Sequence, residues 1–125
     1  MKQPNKKGTG VYLRLALQCE LGIWSQEQKV NHYLQKVGDT ENVHYYKDNG
    51  YSGLTVDRPA LQALMHQVSE GKIGKVVVDS ASRLARGYLL MVELLQFFDT
   101  HDVQVVMLDS PTTGTSLLEV MGAQA

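Results

Sequence analysis

Three short apolar runs limit what this chain can fold into: Val11 to Leu17, Val76-Val77-Val78, and Val103 to Leu108. Each has strand length and strand composition, and the valine triplet is typical of a strand buried on both faces. The stretches between them carry helix signals. Ser25 to Val37 reads as a helix, with Ser25 as cap, Gln28 three residues on in the capping-box position, and Gly38 as stop. Pro59 opens a second helix to about Glu70, because proline suits the first turn, and Gly71 and Gly74 end it. A longer helix follows, with Leu89, Leu90, Val92, Leu94, Leu95 and Phe98 as a broad apolar stripe. The β-branched and aromatic residues of Val43 to Lys47 add a strand. With strand one at Gly10 to Leu17, strand three at Lys75 to Asp79 and strand four at Val103 to Leu108, strands alternate with helices. That order predicts a three-layer α/β/α domain around a mostly parallel sheet of four to five strands.

At 125 residues the chain has the size of one domain. No apolar run reaches the length of a membrane span. The start, MKQPNKKGTG, has no apolar signal-peptide core, so residues 1–9 read as a flexible basic arm ahead of a domain at 10–125. The single cysteine, Cys19, cannot pair internally and fits a reducing, cytoplasmic setting. Twelve Lys and Arg against thirteen Asp and Glu give a formal net charge of -1. Bulk charge therefore argues against strong nucleic-acid binding, which would need a local basic site or a further domain. The four histidines have neither metal-ligand spacing nor a triad arrangement. Asn49-Gly50 is a turn, and no dinucleotide or Walker-type glycine pattern occurs. Tyr45, Tyr46 and Tyr51 suit base stacking, with strand and loop packing the commoner use. Trp24 and the methionines are assigned to core or interface.

In open parallel sheets the ligand site lies beyond the carboxyl ends of the strands. Arg14 sits inside strand one, a guanidinium in an apolar run. By alternation Tyr12, Arg14, Ala16 and Gln18 share one face. After strand two comes DNGYSG with Ser52, and then Arg58 just before Pro59. After strand three comes SASRLAR, in which Arg83 and Arg86 share one side if the stretch is helical. Four arginines from three segments thus converge on one edge. Two readings stay open: a phosphate site that stabilises charge during phosphoryl transfer, or ion pairs to Asp48, Asp57 and Asp79.

The segments VYLRLA, SQEQ, YYKDNGYSG and DRPALQALMHQVSEGKIGKVVVDSASRLAR occur in one order at fitting distances. Together they resemble the catalytic domain of the serine recombinases (resolvases, invertases and large serine integrases) over residues 10 to 125. The form YLRL is similar to the large recombinases of Gram-positive mobile elements. The resemblance implies a resolvase-like fold and site-specific DNA strand exchange through a 5′-phosphoserine intermediate, with no metal or other cofactor. It implies that Arg14 contacts the scissile phosphate and that Arg58 belongs to the active site. It further implies that Arg83 and Arg86 bind the phosphate and assist the leaving group. Gln28 and Ser52 match polar residues around that site, and Ser82 falls where many members carry an aspartate. Ala16 stands where the family has its nucleophilic serine. Alanine has no oxygen, so the chain as written is expected not to cleave DNA. Cys19 and Ser25 lie nearby, but attack needs close alignment with the phosphate. The implied partners are DNA, weakly for this chain alone, and further copies as dimer and tetramer, with no membrane. The resemblance also starts a long dimerisation helix near Leu117. A non-catalytic oligomerisation or accessory module derived from a recombinase is the alternative. A flavodoxin-like anion or nucleotide binder is a third reading, opposed by the missing glycine loop.

Overall fold

Val11, Tyr12 and Leu13 have no exposed surface, which places the strand that carries them at the centre of the molecule. In the computed structural model, which describes residues 7–110, that strand is β1, Gly8–Leu15. It is followed by α1 (Glu20–Val37), β2 (Val43–Asn49), α2 (Pro59–Ser69), β3 (Ile73–Val78), α3 (Ala81–Leu84), α4 (Tyr88–Thr100) and β4 (Gln104–Met107). The four strands pair in parallel in the order β2-β1-β3-β4.

The layers follow from that order. The chain steps from β1 outward to β2, then back past β1 to β3 and on to β4. Right-handed crossovers then put α1 on one face and α2 and α4 on the other. The core divides the same way. Ile23, Val30 and Leu34 of α1 pack with Val11, Leu13, Val77 and Val106. Leu61, Leu64 and Val68 of α2, with Leu94, Leu95 and Phe98 of α4, pack with Tyr12, Val76 and Val78. The direction in which strands are added to the sheet reverses between β1 and β3, so their carboxyl ends flank the switch point where such sheets bind ligands.

The α/β/α expectation holds, and several boundaries move. β1 starts at Gly8, inside the stretch assigned to an arm, and stops at Leu15. Ala16 and Leu17 lie in a bend after it, so the strand alternation that grouped Ala16 with Arg14 does not reach Ala16. Helix α1 starts at Glu20, which places Ser25 and Gln28 in its interior as exposed residues rather than as a cap and its partner. The apolar face reaches back to Ile23, and the Glu20 carboxylate in the first turn suits the helix dipole. Gly38 ends α1 in the left-handed conformation, as expected. β2 runs two residues further than predicted, through Asp48 and Asn49, which pair with Arg14 and Leu15. Helix α3 ends at Leu84, so Arg86 falls outside it and the shared helical side with Arg83 does not form. Trp24 is 57% exposed and not part of the core. Most of the 1–9 arm and the helix expected from Leu117 lie outside the described residues. No helix among the described residues is long and apolar enough to cross a membrane.

Candidate active site at the carboxyl edge of the sheet

Arg14 is the next-to-last residue of β1, and its side chain is buried, 1% exposed. Three backbone carbonyls accept from its guanidinium. Nε donates to Arg83 O at 3.0 Å, Nη1 to Tyr51 O at 2.8 Å and Nη2 to Ser82 O at 2.7 Å. Arg58 is fully buried at the start of α2. Its Nε donates to Thr55 O at 2.7 Å, and Nη1 donates to the Tyr12 hydroxyl at 3.2 Å and to Arg83 O at 3.3 Å. Its guanidinium carbon lies 6.0 Å from the Tyr12 ring centroid. The Arg83 carbonyl therefore stands between two guanidiniums and accepts from both.

Ion pairing does not explain these two residues. Of the three carboxylates considered, only Asp79 pairs with an arginine among the described residues, and that arginine is Arg83, through Nε at 2.9 Å. Asp48 acts otherwise. It accepts the Tyr12 hydroxyl at 2.7 Å and the amides of Ala60 and Leu61, both at 2.9 Å. A strand-end carboxylate thus satisfies two amides in the first turn of α2, whose own N-cap residue is Arg58. Burial first, and then the neighbouring Arg58 charge, pull Arg14 below the usual arginine range. Burial likewise raises the Tyr12 hydroxyl far above the ordinary tyrosine range.

The remaining predicted residues sit around this pair. Arg83 is partly exposed, and its Nη1 lies 3.4 Å from Arg14 O. Arg86 is exposed, and its amide donates to Gly53 O at 2.9 Å. Ser82 contributes its carbonyl to Arg14, while its hydroxyl lies 3.1 Å from that of Ser80. Ser52 is exposed, and its hydroxyl accepts from the Leu54 amide at 3.0 Å. Ala16 is exposed in the turn after β1. Gln28 is exposed on α1, away from the buried face. The glutamine that meets β1 is Gln26, missed in the sequence. It is buried, accepts from Arg14 N at 3.1 Å and donates to Arg14 O at 2.9 Å. Its signal was its place in the helix stripe, three residues after Ile23 and four before Val30.

The site is thus an inner pair of guanidiniums, Arg14 and Arg58, behind an outer pair, Arg83 and Arg86. Only the outer pair reaches the surface. Exposed apolar side chains ring the same edge: Leu17, Leu21 and Trp24 on the β1–α1 side, Leu54 after β2, and Tyr88 and Leu89 at the start of α4.

The model of the resolvase N-terminal domain matches residues 11–125. The chain belongs to that family. Solved structures share the fold of this resolvase-family domain. The N-terminal catalytic domain of TP901-1 integrase is 23% identical with a TM-score of 0.81, over 94% of this chain and 93% of that one. A resolvase family site-specific recombinase from Streptococcus pneumoniae is 21% identical with a TM-score of 0.74, over 95% and 85%. A serine recombinase from Sulfolobus solfataricus is 18% identical with a TM-score of 0.64, over 95% and 80%. No curated protein matches the chain.

Proposed function

We propose that this resolvase-family domain is the catalytic domain of a site-specific DNA recombinase, built to bring a DNA phosphate to position 16, and that Ala16 leaves it unable to cut. The observation that carries the reading is the inner pair. Two guanidiniums are buried side by side, neither touches a carboxylate among the described residues, and carbonyl oxygens hold both. Carbonyls fix the geometry but do not cancel the charge. Positive charge left uncancelled at the carboxyl edge favours an anion there, and arginine is the residue suited to phosphate.

In this reading Arg83 and Arg86 meet the phosphate oxygens, while Arg14 and Arg58 hold positive potential behind them. That is electrostatic stabilisation of a phosphoryl-transfer transition state. Ser52 and Ser82 supply polar backing, and Gln26 takes the place expected of Gln28. The attacking group would be a hydroxyl at position 16, forming a covalent phosphoester that conserves bond energy for religation. Ala16 offers no such group. The partners are DNA and, in the working assembly, further copies of the chain, in the cytoplasm.

Restoring the hydroxyl tests this. Ala16→Ser, in a chain that carries its DNA-binding part, is expected to give a covalent protein–DNA adduct on denaturing gels with a suitable site. Absence of the adduct would remove position 16 as the nucleophile position. The exposed apolar ring favours a second reading, a non-catalytic module that pairs with active subunits. Mixed oligomers with no adduct from the Ala16→Ser chain are its signature.

A further inference from the structure

The turn from Ala16 to Cys19 belongs to no strand or helix, yet it is gripped at both ends. At its start, Leu15 O accepts two amides from the neighbouring segment, Gly50 N at 2.8 Å and Tyr51 N at 3.0 Å. Gly50 makes this possible with φ of 99°, which turns the chain back directly after β2. At its end, Cys19 is the N-cap of α1 but makes no side-chain cap bond. The grip there comes from Asn49. Its Oδ1 accepts from Cys19 N at 2.9 Å, and its Nδ2 donates to Glu20 Oε2 at 3.0 Å. Asn49 is also the register partner of Leu15 in the sheet. One residue therefore ties the last position of β1 to the first turn of α1, across the segment that holds position 16.

We propose that Asn49 is a positioning residue: it spans the β1–α1 turn and fixes where the side chain at position 16 stands relative to the arginine edge. A free four-residue turn samples many conformers, and fixing it costs backbone entropy. A nucleophile works only when held within a narrow range of its target. An ordinary helix cap would satisfy amides of the first turn. Asn49 instead holds the N-cap amide and the first helical carboxylate, so its two bonds set the path of the turn. The arginine edge is close, with Arg83 Nη1 3.4 Å from Arg14 O, two residues before position 16. The proposal rests on the phosphate-site reading above and adds the part that aims position 16.

The test needs neither DNA nor the missing hydroxyl. Ala16→Cys combined with Cys19→Ser leaves one thiol in the chain, at position 16. Its alkylation rate by iodoacetamide, followed against pH, reports the charges around it, because the thiolate is the reacting form. The midpoint is expected below the free-thiol value of about 8.5. Asn49→Ala on that background is expected to move it up by roughly half a pH unit or more, toward the free value, with little change in thermal midpoint. Asn49→Asp together with Glu20→Gln exchanges acceptor and donor at unchanged net charge, and is expected to restore the profile. Should Asn49→Ala unfold the chain, Asn49→Ser, too short to span both partners, replaces it with the same expected shift. An unchanged midpoint in the truncated variant overturns the role of Asn49 and leaves the phosphate site standing. A free-thiol midpoint in the parent shows that position 16 does not face the arginines, which overturns the phosphate-site reading and this proposal together.

Discussion

Arg14 and Arg58 keep their charge in the interior through carbonyl oxygens and one tyrosine hydroxyl, and Tyr12 is where their support meets the fold. The Tyr12 hydroxyl donates to Asp48 and accepts from Arg58, so it links the start of α2 to the inner guanidinium pair. Tyr12→Phe keeps the ring and removes the link. Hydrogen bonds to charged groups are worth about 1.5–3 kcal/mol each, and Asp48 retains its two amide donors. A loss of about 2 kcal/mol in urea unfolding at neutral pH is therefore expected. The tyrosine also sets an alkaline limit. Its hydroxyl titrates higher when folded than its ordinary value of 10.0, because burial disfavours the phenolate. The folded state holds the proton more tightly than the unfolded state does. The associated stability is complete below pH 10 and falls above it, by about 1.4 kcal/mol per pH unit. Tyr12→Phe removes that slope, so the stability gap between variant and parent is expected to narrow above about pH 10. Urea midpoints on either side of that pH measure it. Tyr45 and Tyr46 are also raised by burial and contribute equally to both proteins.

At the scale of elements, the segment between β2 and α2 is what closes the site. It supplies the carbonyls of Tyr51 to Arg14 and of Thr55 to Arg58. It lies this close because residue 53 has no side chain. A Cβ on Gly53 would stand 2.8 Å from Arg14 Nη2 and 2.5 Å from Arg86 Cγ. Arg86 is exposed and can swing away. Arg14 is fixed by three bonds and cannot, so Gly53→Ala must lift the segment. An arginine-specific dicarbonyl reagent reads the result. In the parent, Arg86 is expected to react while Arg14 and Arg58 stay protected. In Gly53→Ala, Arg14 is expected to become reactive, at a cost of about 1–3 kcal/mol in stability. Equal reaction of Arg14 and Arg86 in the parent would mean that the closed arrangement does not persist in solution.

For the whole molecule, charge balance and charge placement say different things. The net charge of -1 provides little general attraction for a polyanion. Arg14, Arg58, Arg83 and Arg86 are gathered at one end of the sheet, and only Arg83 and Arg86 of the four reach the surface. Binding to short duplex DNA is therefore expected to be weak and sensitive to salt. With two phosphate contacts, the slope of log K against log salt is expected near -2, roughly -0.9 for each contact. Titration of a fluorescent duplex at several salt concentrations gives the slope. A value several times steeper would place the binding surface elsewhere.

Element order, the parallel sheet and the edge that carries the arginines were legible along the chain. Those follow from local signals: the valine triplet, the apolar stripe of α4, Pro59 at a helix start and Gly38 at a helix end. The sequence also marked Arg14 as the anomaly, since an arginine in an apolar strand stands out in one dimension. Tertiary structure decided which groups meet. Ser25 and Gln28 fit a cap locally, but packing of Ile23 against β1 extends α1 back to Glu20 and turns Gln26 inward in place of Gln28. Asp48 looked like an ion-pair partner and instead holds the first turn of α2, because β2 runs on until its carboxylate faces the helix amides. That Arg14 and Arg58 meet carbonyl oxygens rather than carboxylates turned on distances between residues up to 69 positions apart in the chain. Periodicity and composition carry no such distances. They are set when right-handed crossovers bring the ends of β1, β2 and β3 together on one side of the sheet.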